Sequence, residues 1–436
     1  MIVAKFGGSS LADAVQFQKV RDIVFADNRR GVVVPSAPGK RFDGDDKVTD
    51  LLYCCHHAQQ NGEEFESVFE AIKKRYLDIV YALGLTINLT PYFDEIRQKI
   101  IHGASAAYCA SRGEYLSGLL LANYLGFSFL DAAEVIFFCE DGSPDWEKTN
   151  RTLSLRLKEQ LPIVLPGFYG SNTKGEICVF SRGGSDITGA LAARAIQAEV
   201  YENWTDVSGF LMADPRIVNN PHSIAHVTYQ EMHALSCAGA TVLHQDSVFP
   251  VSLAGIPTNI RNTNRPEHAG TMITGTAVNR ENFSIFAGIA GKRGYSILLV
   301  EKEIKQHPGG FAQGVLKAAQ HCGLPFQYLS SSTNNVCLMV DTQSYKLREL
   351  DFKKEILKME IPFTQTVQQG FACIVLVGYG ILHNRKTINR ICTALHKENI
   401  PIAMLSQGCG ELSTWVGVEE SQMEMAICSL YKEFTE

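Results

Sequence analysis

The first 283 residues alternate short apolar runs with longer amphipathic stretches, and this alternation constrains the fold more than any other feature of the chain. "IVAKF" (residues 2–6) precedes a helical pattern from Leu11 to about Asp27, with Ser10 and Asp13 spaced as a capping box. "GVVVPSA" reads as a second strand. Helical periodicity returns over Asp46–Gln60, Glu63–Leu83 and Pro91–His102, and again from near Ser111. Strand-like runs recur at "FSFLD", "PIVLPGFY" and "AEVYENW", and a helix is expected from about Ser185 to Gln197. Strands alternating with helices imply an α/β domain over residues 1–283, a mostly parallel sheet sandwiched by helices.

The last third, residues 284–436, has a different grammar. "YSILLVE" leads into a helix, two strands and a helix, and "FACIVLVG" starts the same order again. A shift of 76 residues lays Pro401 on Pro325, Leu405 on Leu329, Ser406 on Ser330 and Val416 on Val340. Such a repeat predicts two copies of a small ferredoxin-like βαββαβ unit, over about 284–365 and 366–436. Modules of this kind appended to a larger α/β domain suit sensing rather than chemistry.

A chain of 436 residues with 45% apolar and 20% charged residues is globular and long enough for two or three domains. Its net charge of −6 argues against a general nucleic-acid or anionic-membrane binder. Twelve cysteines are scattered without a C-x-x-C pair, several inside apolar runs such as "NNVCLMVD". They read as reduced and the chain as cytoplasmic. No apolar run is long enough to span a bilayer.

Four segments carry chemistry-bearing residues. In "KFGGSS", Lys5 stands between a buried run and two glycines. It reads either as a snorkelling lysine beside a tight turn, or as a cation at an anion site where backbone N–H groups and a helix N-terminus converge. The stretch is neither a Walker A loop nor a G-x-G-x-x-G fingerprint. In "FSRGGSD", Arg182 offers a fork for a carboxylate or phosphate, and Asp186 would orient Lys5 or simply face the dipole of its own helix. In "NWTDVSGFLMADPR" a polar loop leaves the end of a strand, where α/β sheets place ligands, though ordinary surface loops look the same. In "SRGEYLSG", Glu114 at the start of an apolar helix would hold an ammonium group or compensate the helix dipole. The histidines lack metal-ligand spacing, and no nucleophilic triad is signalled.

Taken in order, "KFGGSS", "SAPGKRFDGDDKVTDLL", "SRGE", "SRGGSD", "WTDVSGFLMADPR" and "GATVLH" resemble the amino-acid kinase superfamily, and within it the aspartate kinases, which end in paired ACT domains. The resemblance covers essentially the whole chain. It implies transfer of the ATP γ-phosphate to the β-carboxylate of L-aspartate, with Mg²⁺ bridging the phosphates and no metal site made by the protein. By resemblance, Lys5 and Asp186 are catalytic. Gly7, Gly8, Ser9, Thr205, Asp206, Leu211 and Arg216 accompany Lys5 on the ATP side. Glu114 takes the substrate ammonium and Arg182 its α-carboxylate, with Thr49, Gly184 and Ser185 completing the pocket. An amino-acid effector at the ACT modules and a homodimer or higher homo-oligomer follow from the same likeness, which implies no nucleic-acid or membrane partner.

Three positions depart from the family pattern. Thr241 replaces a lysine in "GATVLH", Leu211 an aromatic, and Gln327 an Asp found in lysine-sensitive relatives. The first two bear on nucleotide contacts and the third on lysine as inhibitor. Two rival readings are a catalytically weak amino-acid sensor, favoured by Thr241, and a sister kinase for an N-acylated carboxylate such as N-acetylglutamate. A free ammonium on the substrate is what Glu114 would recognise, which separates the last reading from the first.

Overall fold

The run Ile2–Phe6 becomes β1, buried along its whole length, followed by one 3₁₀ turn at Gly8–Leu11 and by α1, Ala14–Ala26. The helix cap falls on Asp13, whose carboxylate accepts from the Gln16 backbone N–H. Ser10 is buried and its hydroxyl instead meets Thr263 Oγ1 at 2.7 Å, so the expected Ser10–Asp13 box does not form. The computed structural model describes residues 1–181, 183–237, 239, 245–275, 286–302, 310–359, 361–383, 386–408 and 412–436.

The elements follow as β2 Arg30–Pro35, α2 Val48–Asn61, α3 Glu66–Ala82, α4 Thr90–Ile101, α5 Ala106–Leu125, β3 Ser128–Phe129 and α6 Trp146–Gln160. They continue with β4 Ile163–Val164, β5 Tyr169–Ser171, β6 Ile177–Val179, α7 Gly184–Ile196, β7 Val200–Thr205, β8 His226–Thr228, α8 Tyr229–Cys237, α9 Gln245–Leu253, β9 Thr258–Asn262 and β10 Thr271–Thr274. Two sequence expectations shift. The helix carrying Glu114 starts five residues before Ser111, because Ser105 caps it by accepting from the Tyr108 N–H. The run "PIVLPGFY" is cut after Val164, since Pro166 has no N–H for the ladder, and its end joins a separate two-stranded hairpin, β5–β6.

The large sheet runs β3-β4-β2-β1-β7-β9-β10-β8. Every pairing in it is parallel except β9 with β10. One core cluster joins β1 and β2 to α1–α5, including Phe6, Phe17, Leu52, Phe69, Tyr76, Leu120 and Trp204. This is an α/β fold with a mostly parallel sheet, as the alternation of strands and helices predicts.

The chain divides into two compact units. The first holds Met1–Leu211, Ser223–Ser236 and the described part of Thr241–Glu281; the second holds Met212–His222, Cys237–Ala240 and Asn282–Glu436 in their described parts. Met212–His222 thus leaves the α/β unit. Ile289 N–H donates to Met212 O at 2.7 Å, and Ala213 and Val218 pack with Phe286, Ile289 and Ile427.

In the second unit, β11 Gly288–Lys302, α10 Phe311–His321, β12 Phe326–Ser331, β13 Asn335–Asp341, α11 Thr342–Leu357 and β14 Phe363–Val377 form the first βαββαβ order. After α12 Tyr379–His383 come α13 Thr387–Lys397, β15 Met404–Ser406, β16 Ser413–Glu419 and α14 Met423–Thr435. The shift of 76 residues carries Phe311–His321 onto Thr387–Lys397, so the repeat read from sequence is a repeat of helices. The sheet order is β12-β13-β11-β14-β16-β15. Its two long strands serve both halves. Tyr295–Glu301 pairs with β13 and Tyr295–Lys302 with Phe363–Phe371, whereas Gly288–Lys292 pairs with Cys373–Val377. The fourth strand of the second module is therefore supplied by the first half of β11, and Ile289 packs with Ile391, Val416 and Leu430.

Candidate active site

Lys5 and Asn203 are register partners on the parallel neighbours β1 and β7, so their side chains leave the sheet on the same face. They meet Asp186 in the first turn of α7. Lys5 Nζ lies 2.5 Å from Asp186 Oδ1 and 3.4 Å from Asn203 Oδ1, and Asn203 Nδ2 donates to Asp186 Oδ1 at 2.8 Å. Lys5 is only 7% exposed. A buried ammonium is costly without a counter-charge, and Asp186 supplies one at a helix N-terminus where a carboxylate is itself favoured. The cluster sits beside the strand, β1, from which β2 and β4 extend to one side and β7 and β9 to the other. Open α/β sheets bind ligands at the carboxyl ends of strands at such a switch point.

The glycines that follow β1 bring a second loop against this end. Gly39 N–H donates to Gly8 O at 2.8 Å, and a Cβ on Gly39 would stand 2.7 Å from Gly8 C. A Cβ on Gly8 would meet Ala37 O at 2.9 Å. Only glycine at both positions permits two backbones this close. Gly7 donates its N–H to Trp204 O at 2.9 Å, and a Cβ there would be 3.6 Å from Lys5 Nζ, which places the ammonium beside the glycine turn. Arg75, buried on α3, fastens the second loop: it donates to Gly39 O at 3.0 Å, to Asp45 Oδ2 at 2.8 Å and to Asp46 O at 3.2 Å. Arg41 shares that carboxylate, and the paired guanidinium groups hold the Asp45 carboxyl well below the usual carboxylate range.

Between these loops lies a cleft of about 650 Å³ lined by Gly8, Ser9, Thr49, Glu114 and Asp206, together with Lys40, Arg41 and Lys47. Glu114 lies two turns into α5 rather than at its start, so compensation of the helix dipole is not its role. It is 5% exposed, accepts from the Ala37 backbone N–H, and its Oε2 has no hydrogen-bond partner among the described residues. Burial pushes its carboxyl from 4.5 up to about 8. A buried carboxyl with one oxygen free, facing a cleft, is poised to take a hydrogen-bonding cation.

The remaining sequence-predicted residues do not all line this cleft. Thr205 Oγ1 donates to Asp206 Oδ1 at 3.2 Å. Gly184 packs against Phe168, where a Cβ would be 2.6 Å from the ring, and Ser185 is buried beside Gly167. Leu211 is 40% exposed and bridges to Ser223, away from the cleft lining. Arg216 lies in the second unit and forks to Asp214. Arg182 and Thr241 fall outside the described residues. Asn203, Lys40, Arg41, Lys47 and Arg75 were not singled out from sequence. Asn203 carried no signal of its own in the sequence, because its placement opposite Lys5 is set by strand register. Among the described residues no three His, Cys, Asp or Glu side chains gather as a metal site, and no helix is long and apolar enough to cross a membrane.

Residues 1–262 match the model of the amino acid kinase family, and residues 374–434 match an ACT domain. Aspartokinase 3 of Bacillus subtilis is 33% identical over 451 residues, covering 100% of this chain and 98% of the relative. The crystal structure of Clostridium acetobutylicum aspartate kinase superposes with a TM-score of 0.93 at 42% identity over the whole of both chains. Escherichia coli aspartokinase III, solved with aspartate and ADP and also with lysine and aspartate, superposes at a TM-score of 0.75 and 25% identity, again over both whole chains. With its two ends matching a kinase family and an ACT domain, and its full length matching these relatives, the chain belongs to the aspartokinase branch of the amino acid kinase family.

Proposed function

We propose that the chain is an aspartate kinase that transfers the γ-phosphoryl group of ATP to the β-carboxylate of L-aspartate, giving 4-phospho-L-aspartate, with Lys5 and Glu114 as its principal contacts. A β-carboxylate is already ionised near neutral pH, so its oxygen attacks phosphorus with no proton to remove, and ADP departs as the P–O bond to it breaks. The barrier lies in bringing an anion against a polyanion. Catalysis therefore rests on fixed cations and oriented N–H groups.

The Lys5–Asp186–Asn203 cluster beside the glycine turn carries this reading. Lys5 is held rigidly at the carboxyl end of the central strand, neutralised at rest by Asp186 and available to the transferring group. Gly7, Gly8 and Ser9 would approach the phosphates through their backbone, with Thr205 and Asp206 at the rim. Glu114, beside Thr49, would receive the substrate ammonium on its free Oε2. The first turn of α7, with Gly184 and Ser185, would face the substrate's other end, where Arg182 is assigned by family likeness. Mg²⁺ would arrive on the nucleotide phosphates, with Asp206 and Asp43 as the exposed carboxylates of the cleft, and would neutralise their charge.

An amino acid is the expected effector at the ACT modules, consistent with the lysine complex of the E. coli relative. Gln327, exposed on β12, departs from the lysine-sensitive pattern. We also infer a homodimer or higher assembly, because β12 is an exposed sheet edge carrying Phe326 and Leu329, and edges of this kind pair. A cytoplasmic location suits the described cysteines, all of which are free.

The substrate assignment is tested by ADP release with L-aspartate and with N-acetyl-L-aspartate. Turnover only with the free amine is expected; equal turnover with the acetylated compound overturns the role of Glu114.

A further inference from the structure

Helix α5 carries two charged side chains two positions apart, and they point to opposite sides. Glu114 faces the cleft described above. Arg112 lines a second cavity of about 780 Å³ in the same unit, whose walls include Lys99, Tyr108, Asp131, Glu176 and Cys178.

Arg112 is 6% exposed, yet no carboxylate pairs with it among the described residues. Its guanidinium carbon lies 4.5 Å from the Tyr115 ring, 4.7 Å from Tyr108 and 5.2 Å from Tyr169. Nε and Nη2 both donate to one oxygen, Ser111 Oγ, at 3.1 and 3.0 Å. The ring faces ease burial of the cation but leave its fork without a matching pair of oxygens. Besides Glu95, which Lys99 neutralises, two carboxylates of the wall are each held by one oxygen only among the described residues. Asp131 Oδ1 accepts from the Tyr169 hydroxyl and the Ala133 N–H, and Glu176 Oε2 accepts from the Asn172 amide. Lys99 is already paired with Glu95 at 2.8 Å. The cavity therefore offers one buried positive pole and two half-used negative ones that do not satisfy each other. A polyanion would be repelled by the acids, and a simple cation by Arg112.

We propose that this cavity binds a small free α-amino acid, its carboxylate on Arg112, its ammonium on Asp131 and Glu176, and its side chain against the tyrosine rings. Occupancy would also reach the first cleft, a consequence that rests on the role given to Glu114. Arg112 favours the ionised Glu114 carboxylate by charge, so a carboxylate bound to Arg112 weakens that support and opposes aspartate binding.

Cys178 on the cavity wall reports occupancy directly. Its alkylation by iodoacetamide is followed by mass spectrometry on the full chain with ADP and no added L-aspartate, with exposed Cys54 and Cys139 as internal controls. L-Alanine is expected to slow Cys178 about fivefold or more without slowing the controls, whereas acetate, methylamine and inorganic phosphate do not. Glu176→Gln, on an exposed hairpin where folding is not at stake, should raise the half-protecting concentration about tenfold, and Arg112→Met should abolish protection. Absence of protection, equal protection by acetate or phosphate, or an unchanged Glu176→Gln response overturns the site. In turnover assays L-alanine should raise KM for L-aspartate severalfold in the unmodified chain and not in Glu176→Gln; an unchanged KM overturns the coupling to Glu114 while the footprint still decides the site.

Discussion

Glu114 is a carboxyl group that burial pushes toward its protonated form. Its ordinary value near 4.5 rises to about 8 through burial, so the folded chain retains a proton that the unfolded chain has lost. The sign follows by linkage. This group's contribution to stability is largest below about pH 4.5 and declines as pH rises toward 8. Glu114→Gln should flatten that part of the stability–pH curve, as measured by urea unfolding between pH 5 and 8. An ammonium on Oε2 needs the ionised form, so aspartate affinity should weaken as pH falls below 8, approaching tenfold per pH unit. Calorimetry at pH 7 in two buffers of different ionisation heat should find close to one proton released per aspartate bound; no release contradicts the contact. Lys5, Asp186 and Glu114 stood out through the family resemblance of the segments that carry them, since a lone charge beside glycines or on a helix has ordinary structural readings as well. Asn203 did not, since alternation in "VYENW" makes a buried polar residue look like one facing water.

At the scale of elements, the site depends on two glycine loops meeting backbone to backbone. Gly39→Ala would set a Cβ 2.7–2.9 Å from Gly8 main-chain atoms, with no flexible side chain to yield. It should cost about 1–3 kcal/mol of stability. It should also lower kcat/KM by about tenfold or more, since the phosphate turn and the cleft wall move together. Thermal melting and steady-state kinetics on the same preparation check both effects; wild-type kinetics would detach the loop contact from catalysis. The strand–helix alternation was readable from β1 to α5 and again at α7 and β7, helped by the apolar stripes of helices such as α3 and α4, while α6 and the elements after β7 were not named from sequence. Other departures have local causes. Pro166 ends β4 early, Ser105 starts α5 a turn and a half ahead of "SRGE", and the short β5–β6 hairpin has too few residues to show a period. The contact of Gly8 with Gly39 is a tertiary fact that no local pattern encodes.

At the scale of the whole molecule, the internal repeat was legible as two modules and the family resemblance implied that they intertwine, but which strands are shared was not legible. β11 and β14 each run through both modules, so a boundary drawn between residues 365 and 366 falls inside β14. The same sheet leaves β12 at its edge with Phe326 and Leu329 exposed. Light scattering should report two chains or more, and Phe326→Lys should shift the population toward monomer; a monomeric native chain contradicts the assembly. Catalysis itself is tested most directly by trapping the acyl phosphate. With ATP, L-aspartate and hydroxylamine, the native chain should form aspartyl hydroxamate, while Lys5→Ala should lower kcat by about 10²–10³-fold with a far smaller change in KM. Hydroxamate formation by Lys5→Ala at the native rate, or none by the native chain, would contradict the account.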